Sequence, residues 1–397
     1  MPVLGVGGRM AVIKDPVHGM VSFSGLELRL LDSPAMQRLR GVKQVAMAYL
    51  VYPGANHTRF EHSYGTMHLA GALASGLGLN RDDAELVRAS ALLHDVGHGA
   101  FSHEAEAVAL ERGGKGHEEA GWEKVRGSEI RETLSDSGMS LSELKPVFFG
   151  RGAGGIVSFG LGADRMDYLL RDSYYTGVAY GVTDSERMIR TIRLREGGLV
   201  IGEGGLEAAE SILIARFLMF SAVYYHHTVR IASAMLKAAV RAGLEDKAIR
   251  AGELSELTDL GLLCRLSQSR QAKGIVARLE NRALYKRALE ANMDSLGADA
   301  RRGLRARKAG EKLEEEIAEA AGVPPRDVIV DFPPLFEADA AGLVAEFGGK
   351  VAPLSEVSEI VRGIGRAGME RKSVIVACPK EEKREVNAAA KKVFAAL

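Results

Sequence analysis

The sequence predicts a mainly α-helical protein with short β-hairpins and a small C-terminal module of the α/β or α+β type. Three observations lead to this fold class. Apolar residues recur at helical spacing through most of residues 59–173. Residues 205–240 are apolar on more than one face, which predicts one long buried helix. Two β-branched runs ended by proline, DVIVDFPP and SVIVACP, follow only after Val323.

Glycine and proline divide the N-terminal half into short elements. Alternating apolar and polar residues around Pro16 and Gly19 predict a hairpin in VIKDPVHGMVSFS. The tripeptide DSP at residues 32–34 predicts a helix start, with a capping residue and proline in the first turn. Further helices are expected at residues 59–77, 82–94, 103–112, 117–134, 140–149 and 163–173.

The rest of the chain changes character after the predicted long helix. A second hairpin is expected at residues 192–202, with Gly197-Gly198 as its turn. Residues 245–320 are rich in charge and helical in pattern, and the run at 301–322 predicts a solvated amphipathic helix. We therefore expect three units. These are a principal domain at residues 1–245, a helical extension at residues 246–320 and a small C-terminal module at residues 321–397.

Composition excludes several classes of protein. The 397 residues include 52 Lys+Arg and 52 Asp+Glu, so the net charge is zero, which argues against binding nucleic acid through a broad positive surface. No apolar run reaches the roughly 18 residues of a membrane span, and the N-terminus lacks the apolar stretch of a signal peptide. Cys264 and Cys378 lie in different segments, so no disulfide framework is expected. These features favour a cytoplasmic protein with no membrane and no nucleic-acid partner.

The strongest chemical signal is LLHDVGHGAFSHEAE, at residues 92–106. It combines three imidazoles with the carboxylates of Asp95 and Glu106 at a helix end that glycines interrupt, so that neighbouring side chains can face one ion. Imidazole with carboxylate suits Fe, Mn, Ni or Zn better than Ca. A lone His-Asp pair would more often be an ordinary hydrogen-bonded couple, but this density of donors favours a metal site. The residues concerned are His94, Asp95, His98, His103 and Glu106.

Two further clusters accompany it. In HTRFEHSYGTMH, residues 57–68, His62 is a candidate ligand, whereas we expect His57 to be a loop residue and His68 a packed core residue. In GADRMDYLLRDS, residues 162–173, an Asp–Tyr–Asp stripe at helical spacing is not a core pattern. From spacing alone, Asp172 could equally be a solvated residue or a helix cap.

The motifs HTRFEHS, HDVGHGAFSH, HE and DRMDYLLRDS, in this order, resemble the HD-domain phosphohydrolases. Within them, the chain is similar to the branch of deoxynucleoside triphosphate (dNTP) triphosphohydrolases. The resemblance covers about residues 12–240 and includes DPVHG at 15–19. It implies an HD-domain helical fold and hydrolysis of a dNTP to deoxynucleoside and triphosphate by water attack at the α-phosphorus.

The resemblance also implies roles for individual residues. One divalent ion, with Fe, Mn, Zn, Ni and Mg as candidates, would be held by His62, His94, Asp95 and Asp164. The implied catalytic residues are His98, His103, Glu106 and His117, with His98 as general acid and Glu106 orienting it. The implied substrate-binding residues are Gln44, Arg59, Arg165, Tyr168, Asp172, Arg216 and Tyr224. The three arginines would contact phosphates, Asp172 would accept from the 3′-hydroxyl, and Tyr224 would crowd the 2′ position of ribose.

An activating nucleotide site is implied as well. Asp32, Gln37 and Arg40 match residues that read a guanine nucleotide in the branch, so GTP or dGTP is an expected activator of a homo-oligomer, a dimer or a tetramer. The alternative is that this helix is only scaffold. Ala11 replaces a lysine of that site, and Phe220 replaces a histidine near the base, so base preference is not carried over.

Two other functions stay open at this point. One is an HD-type phosphodiesterase or nucleotidase acting on another nucleotide. The other is a nucleotide-sensing protein with vestigial chemistry, against which the complete set of expected metal ligands argues. No motif assigns a role to residues 246–397.

Overall fold

The N-terminal segment is a β-hairpin followed by two short helices. The computed structural model describes residues 11–127, 129–195, 198–292, 307–332, 342–370 and 373–396. The first elements are β1 (Ala11–Asp15), β2 (Gly19–Phe23), α1 (Gly25–Leu31) and α2 (Pro34–Arg38). The two strands pair antiparallel, as the sequence predicts. The Ser33 side chain caps α2 and Pro34 occupies its first turn, where the missing N–H costs nothing.

A bundle of helices forms the principal core. They are α3 (Arg59–Gly76), α4 (Arg81–Leu93), α5 (His103–Glu111), α6 (His117–Gly127), α7 (Glu129–Asp136), α8 (Leu141–Phe148), α9 (Gly155–Ser158) and α10 (Ala163–Thr176). The predicted helical pattern is confirmed, and the helix expected at 117–134 is seen as α6 and α7, on either side of residue 128, which lies outside the described residues. Helix α3 lies at the centre and buries apolar residues such as Phe60 and Met67 against its neighbours. This central position places polar side chains of α3 inside the molecule.

The expected single helix at 205–240 is wrong. After α11 (Ser185–Thr191), β3 (Ile192–Arg195) and β4 (Gly198–Ile201), the chain forms α12 (Leu206–Met219) and α13 (His227–Glu245). A π-helical turn at Phe220–Tyr224 separates them, and the His226 side chain caps α13. Helix breaks of this π type occur often at functional sites. The predicted second hairpin is confirmed by the β3–β4 pairing, whereas its turn residue Gly197 lies outside the described residues.

The region after α13 contains two helices that pack back on the principal core. Helix α14 (Asp259–Gln268) and helix α15 (Lys273–Glu280) contribute Leu262, Leu266 and Val276 to a second apolar cluster. That cluster also contains Phe101, from the loop before α5. The extension is therefore in direct contact with the residues that surround the HDVGHG segment.

The C-terminal strands form two sheets. The remaining elements are β5 (Lys286–Asn292), α16 (Arg307–Ala321), β6 (Ile329–Asp331), β7 (Val344–Phe347), β8 (Lys350–Pro353), α17 (Leu354–Val357), α18 (Glu359–Glu370), β9 (Ser373–Cys378) and α19 (Lys383–Ala395). An antiparallel sheet of order β5-β9-β6 is covered by α16 and α19. The amphipathic helix predicted within 301–322 is present as α16 and buries Leu313 and Ile317, while residues 301–306 lie outside the described residues.

Strands β7 and β8 do not pair with that sheet. They extend the β3–β4 hairpin of the principal core. Their sheet has the order β3-β4-β7-β8, with β4 and β7 parallel. Helix α18 packs against α12. Residues 344–370 thus contact the N-terminal part of the chain directly.

Candidate metal centre and active site

Three helices bring the expected metal ligands to one point. His62 lies in α3, His94 and Asp95 directly follow α4, and Asp164 lies in the first turn of α10. His62 Nε2 lies 3.1 Å from Asp164 Oδ1 and 3.6 Å from Asp95 Oδ2. His94 Nε2 lies 3.2 Å from Asp95 Oδ1 and 3.9 Å from Asp164 Oδ1. The structure therefore clusters all four side chains that the resemblance implied.

This donor set fits a divalent metal ion. His94 Nδ1 donates to the Ala91 carbonyl oxygen at 2.7 Å, which leaves Nε2 free to offer its electron pair. That Nε2 atom is buried and makes no hydrogen bond within the described part of the chain. Two imidazoles with two carboxylates suit Fe, Mn, Ni or Zn. Together they would leave positions for water and a phosphate oxygen.

A buried carboxylate behind His62 fixes the orientation of its ring. Asp167 Oδ2 accepts a hydrogen bond from His62 Nδ1 at 2.8 Å, and its Oδ1 accepts from His18 Nε2 at 2.6 Å. Burial alone would lower the pKa of His62, but its hydrogen bonds to Asp164 and Asp167 raise it to about 10, so a metal ion that binds at Nε2 would displace a proton from that atom. An orienting carboxylate of this kind is a regular partner of metal-bound histidine.

The DPVHG segment anchors the same network. Arg171 donates to Asp167 at 2.9 Å and to Asp15 Oδ2 at 2.8 Å, and all three side chains are almost completely buried. Asp15 Oδ1 accepts from the backbone N–H of His18 at 2.7 Å. Sequence reasoning did not assign a role to these residues. Asp167 could have been found, because it lies three residues after Asp164 on the same helix.

A second cluster of ionisable side chains adjoins the first. The rings of His98 and His117 stack with centroids 3.9 Å apart, and the His103 ring stands edge-on to His98 at 4.7 Å. His98 also approaches the first cluster, because its Nε2 lies 3.4 Å from Asp95 Oδ1. Burial and the nearby Arg59 charge lower the pKa of His98 well below its ordinary value. The four residues His98, His103, Glu106 and His117 are therefore grouped beside the expected metal ligands.

The expected pairing of Glu106 with His98 is corrected by the structure. Glu106 accepts hydrogen bonds from His103 Nδ1 at 3.2 Å and from His117 Nδ1 at 2.8 Å, whereas His98 Nδ1 lies 3.8 Å away. His103 lies within reach of Glu106 because the two residues are three apart on α5. Burial alone would lower the pKa of His117, but its hydrogen bond to Glu106 raises it.

One cavity of about 460 Å³ joins the two clusters to the expected substrate residues. Its lining includes His94, Asp95, Asp164, His98, His103, His117, Gln44, Arg59, Tyr168, Asp172, Phe220 and Tyr224. The Gln44 Oε1 atom is buried and makes no hydrogen bond within the described part of the chain. Phe220 stands edge-on to Tyr224 at 4.9 Å, at the place where the π-helical turn interrupts the helices. A cavity of this size accommodates a small organic ligand.

The arginines expected at the phosphates lie in different places. Arg59 lines the cavity, where its Nη1 donates to Asp95 Oδ2 at 2.6 Å. Arg165 donates to the Gly160 carbonyl oxygen at 2.5 Å, and Arg216 stacks over the Phe220 ring at 4.6 Å. Among the described residues, the cavity lining does not include Arg165 or Arg216. The structure therefore brings one of the three arginines to the cavity wall.

Asp172 is held from two sides. Its Oδ1 accepts a hydrogen bond from His57 Nε2 at 2.7 Å, and its Oδ2 accepts one from the Tyr224 hydroxyl. The His57 ring is buried and stacks on Tyr175 with centroids 4.7 Å apart. His57 is a loop residue, as expected, but its buried ring also makes a contact with Asp172 that was not expected. No local pattern indicated this contact, because His57 and Asp172 are 115 residues apart.

The residues of the expected activator site lie on the surface. Asp32 and Arg40 are exposed, and Arg40 Nε donates to Gln37 Oε1 at 2.7 Å. The Arg40 guanidinium also covers the Phe60 ring at 3.7 Å. Gln37, in α2, and Arg40, just after it, are therefore neighbours.

Comparison with known proteins agrees with this geometry. A family model described as HD domain matches residues 59–150, and one described as HD associated region matches residues 183–396. This chain is an HD-domain protein. Among the described residues, none of its helices combines the length and the apolar character that crossing a bilayer requires.

Three relatives illustrate the range of the family. An uncharacterized protein of Methanocaldococcus jannaschii is 36% identical over 398 residues, which cover 95% of this chain and 81% of that protein. The solved structure of a phosphohydrolase from Bacteroides thetaiotaomicron matches with a TM-score of 0.74 and 26% identity, over 93% of this chain and 100% of that chain. The human deoxynucleoside triphosphate triphosphohydrolase SAMHD1 is 46% identical over 101 residues, or 24% of this chain.

The last match spans only 16% of the length of the human protein. The comparisons place this HD-domain protein in the phosphohydrolase superfamily, to which the expected metal ligands and the helical fold also correspond. The activity and assembly of the complete human protein do not follow from a match of that length.

Proposed function

We propose that this protein is a metal-dependent dNTP triphosphohydrolase. The observation that supports this best is the single cavity that holds three kinds of groups on its walls. These are the metal donors, the histidine cluster beside them, and the Asp172–Tyr224 pair. The proposed reaction breaks the bond between the α-phosphorus and the 5′-oxygen, with water as nucleophile and triphosphate as the released anion.

The metal donors mark the position of the α-phosphate. A bound divalent ion would polarise a phosphate oxygen and lower the pKa of a water molecule. His62, His94, Asp95 and Asp164 would hold that ion, while the Arg59 guanidinium beside Asp95 adds positive charge at the phosphate. The identity of the ion, among Fe, Mn, Zn, Ni and Mg, is left to metal analysis.

The histidines held by Glu106 supply the proton for the leaving 5′-oxygen. A general acid must be protonated before the reaction and lie within reach of the leaving atom. Glu106 favours a protonated ring on His117, because the hydrogen bond that it accepts from this residue raises the pKa of His117. His98 contacts Asp95 on one side and stacks on His117 on the other, so we assign it to phosphate contact rather than to proton donation.

Other residues of the cavity wall would recognise the sugar. Asp172 would accept a hydrogen bond from the 3′-hydroxyl, since its carboxylate lines the cavity and is fixed by His57 and Tyr224. Gln44 lines the same cavity, and its buried amide oxygen makes no hydrogen bond to the described residues. Tyr224 would leave no room for a 2′-hydroxyl, which a buried site can reject strongly when the hydroxyl finds no partner.

The arginine positions favour a second candidate. Of the three expected arginines, Arg59 is among the residues that line the cavity and Arg165 and Arg216 are not, which places fewer positive groups on its wall than a triphosphate would use. A phosphodiesterase or nucleotidase acting on a nucleotide with fewer phosphates would need only Arg59 and the metal. The two functions differ in the phosphate product.

The deciding experiment is a product assay with a panel of dNTPs and NTPs on metal-loaded protein. Tripolyphosphate is expected from dNTPs, and in water labelled with oxygen-18 the label should enter the tripolyphosphate. Release of pyrophosphate or single phosphate instead would contradict the proposal and support the second candidate. The double change His94→Ala and Asp95→Ala should abolish both metal content and activity, whereas activity that survives it would refute the assigned site.

The same assay tests activation and assembly. Asp32, Gln37 and Arg40 would bind the guanine of GTP or dGTP and stabilise a dimer or tetramer. Added GTP should increase turnover and the mass measured by light scattering, and Arg40→Ala should remove both effects. Equal turnover at every GTP concentration would leave this helix with a scaffold role only.

A further inference from the structure

Residues 254–259, which connect the principal core to α14, lie against two loops of the candidate site. Gly99 packs on the backbone of Leu254 so closely that a Cβ would collide with it. Gly41 packs on the Thr258 side chain in the same way. The extension after α13 therefore touches both the loop that follows the His94–Asp95 pair and the loop before α3.

Arg38 joins the same segment to the first loop. Its Nη2 donates to the carbonyl oxygens of Val96 and His98 at 2.9 and 2.6 Å. Its Nη1 lies 3.4 Å from the carbonyl oxygen of Leu257. One guanidinium thus spans the connecting segment and both ends of the Val96–His98 turn.

Asp259 makes the most specific of these contacts. Its Oδ1 accepts a hydrogen bond from the Phe101 N–H at 2.6 Å, and its Oδ2 accepts one from the Lys43 N–H at 3.0 Å. Phe101 and Ser102 have φ angles of +53° and +52°, in the left-handed region that residues with a Cβ rarely adopt. The carboxylate therefore stabilises a backbone conformation that the sequence would not favour by itself.

Two hydrogen bonds connect the Phe101–Ser102 turn to Asp95, a proposed metal ligand. Ser102 Oγ donates to the Lys43 carbonyl oxygen at 3.0 Å and accepts from Arg59 Nε at 2.8 Å. Arg59 Nη1 then donates to Asp95 Oδ2 at 2.6 Å. The buried chain runs from Asp259 to Asp95 without a solvent-exposed link.

We propose that Asp259 is a positioning residue, which holds the Phe101–Ser102 turn so that Ser102 and Arg59 orient Asp95 toward the metal. The inference rests on the metal site of the proposed function. It gives the helical extension a role in the chemistry of the principal core. Asp259 itself does not line the cavity and contacts no reacting group.

The test is a Co²⁺ titration of metal-free protein, followed by its absorption spectrum, for the wild type and for Asp259→Asn. Asparagine keeps the shape but offers one acceptor, and its NH₂ group faces a backbone donor. We expect the Co²⁺ affinity to fall about tenfold, with an altered ligand-field spectrum, as outer-shell changes do. Asp246→Asn is the matched control, because Asp246 also accepts backbone and hydroxyl hydrogen bonds in the extension, from Ala248 and Ser269, without contact to the site loops.

Ser102→Ala tests the same chain from its other end, and it remains informative if Asp259→Asn does not fold. If Asp259 acts through Ser102, the double variant should bind Co²⁺ no more weakly than the weaker single variant. Additive losses would overturn the proposed route. With the substrate that the product assay identifies, kcat should fall in both variants, because Asp95 is then held less precisely toward the metal.

Unchanged Co²⁺ affinity and spectrum in Asp259→Asn would overturn the positioning role of Asp259 and leave the proposed function intact. Failure of the wild type to bind Co²⁺ would instead remove the metal site and the inference together. Absence of dNTP turnover with normal Co²⁺ binding would contradict the proposed substrate and leave the positioning role of Asp259 in place.

Discussion

His62 and Asp167 form a buried pair in which His62 Nδ1 donates to Asp167 Oδ2 at 2.8 Å, on the ring edge opposite the atom that faces Asp164. The pair determines which nitrogen of His62 is available to a metal. Because Asp167 also accepts from His18 and Arg171, its position is fixed by three donors from different segments.

Asp167→Asn should weaken metal binding by about 10- to 100-fold, since an amide no longer fixes the His62 tautomer by charge. Metal titration of the purified variant measures this. Asp172→Asn, on the same helix, is the control, because Asp172 contacts His57 and Tyr224 and not the metal donors. Equal metal affinity in both variants would argue against an orienting role for Asp167.

His57→Gln should raise KM for the nucleotide substrate by about tenfold, since about 1.4 kcal/mol is the ordinary value of one such hydrogen bond. The physical reason for the higher KM is that Asp172 loses one of the two hydrogen-bond donors that fix its position. His68→Gln is the matched control, because the His68 ring contacts His18 at 5.4 Å and does not line the cavity. An unchanged KM in His57→Gln would show that Tyr224 alone is sufficient to hold Asp172.

Gly97→Ala should lower the free energy of unfolding by about 3 kcal/mol, at the upper end of overpacking effects. A Cβ at residue 97 would collide with the backbone of His117 and Gly121, neither of which can rotate away. Chemical denaturation measures the loss. Gly127→Ala provides the comparison, since no atom lies within 4 Å of its added Cβ, and its stability should change little.

The raised pKa of Glu314 predicts that the free energy of unfolding depends on pH. Burial raises the pKa of Glu314 to about 7, although its hydrogen bond from the Val330 N–H opposes the shift. The folded state therefore holds this proton more tightly than the unfolded state. The contribution is complete below the unfolded pKa near 4.5 and is lost as the pH rises through about 7.

Relative to Glu314→Gln, the wild type should accordingly lose on the order of 2 kcal/mol of stability between pH 4.5 and pH 7, with no further change above it. Denaturation of both proteins across this range isolates the effect from other carboxylates. Parallel stability curves would mean that Glu314 titrates at its ordinary pKa in the folded protein.

Much of the fold could be predicted because its helices have local signals. The spacing of apolar residues and the capping side chains predicted α3, α4, α5, α8 and α10 within a few residues of their observed bounds. The break between α12 and α13 could not be predicted. The apolar pattern continues through it, and the π-helical turn at Phe220–Tyr224 depends on packing around the cavity.

The candidate site could likewise be predicted only in part from the sequence. The HDVGHGAFSH motif indicated the imidazoles and carboxylates, since dense donors at a glycine-interrupted helix end are themselves a local signal. The contacts of His57 and Asp259 gave no such signal. Each of these two residues reaches a partner more than 100 residues away, and only the packing of the helices sets that distance.

The sequence by itself determined the donor types, their order along the chain and the helices that present them, because residue identity and helical periodicity are local properties. The tertiary structure alone decided which donors meet. It paired Glu106 with His103 and His117, put Arg59 but neither Arg165 nor Arg216 among the residues that line the cavity, and joined Asp259 to the Phe101–Ser102 turn by a hydrogen bond. These outcomes depend on how the helices pack, since an error of a few ångströms in that packing would make or break each hydrogen bond.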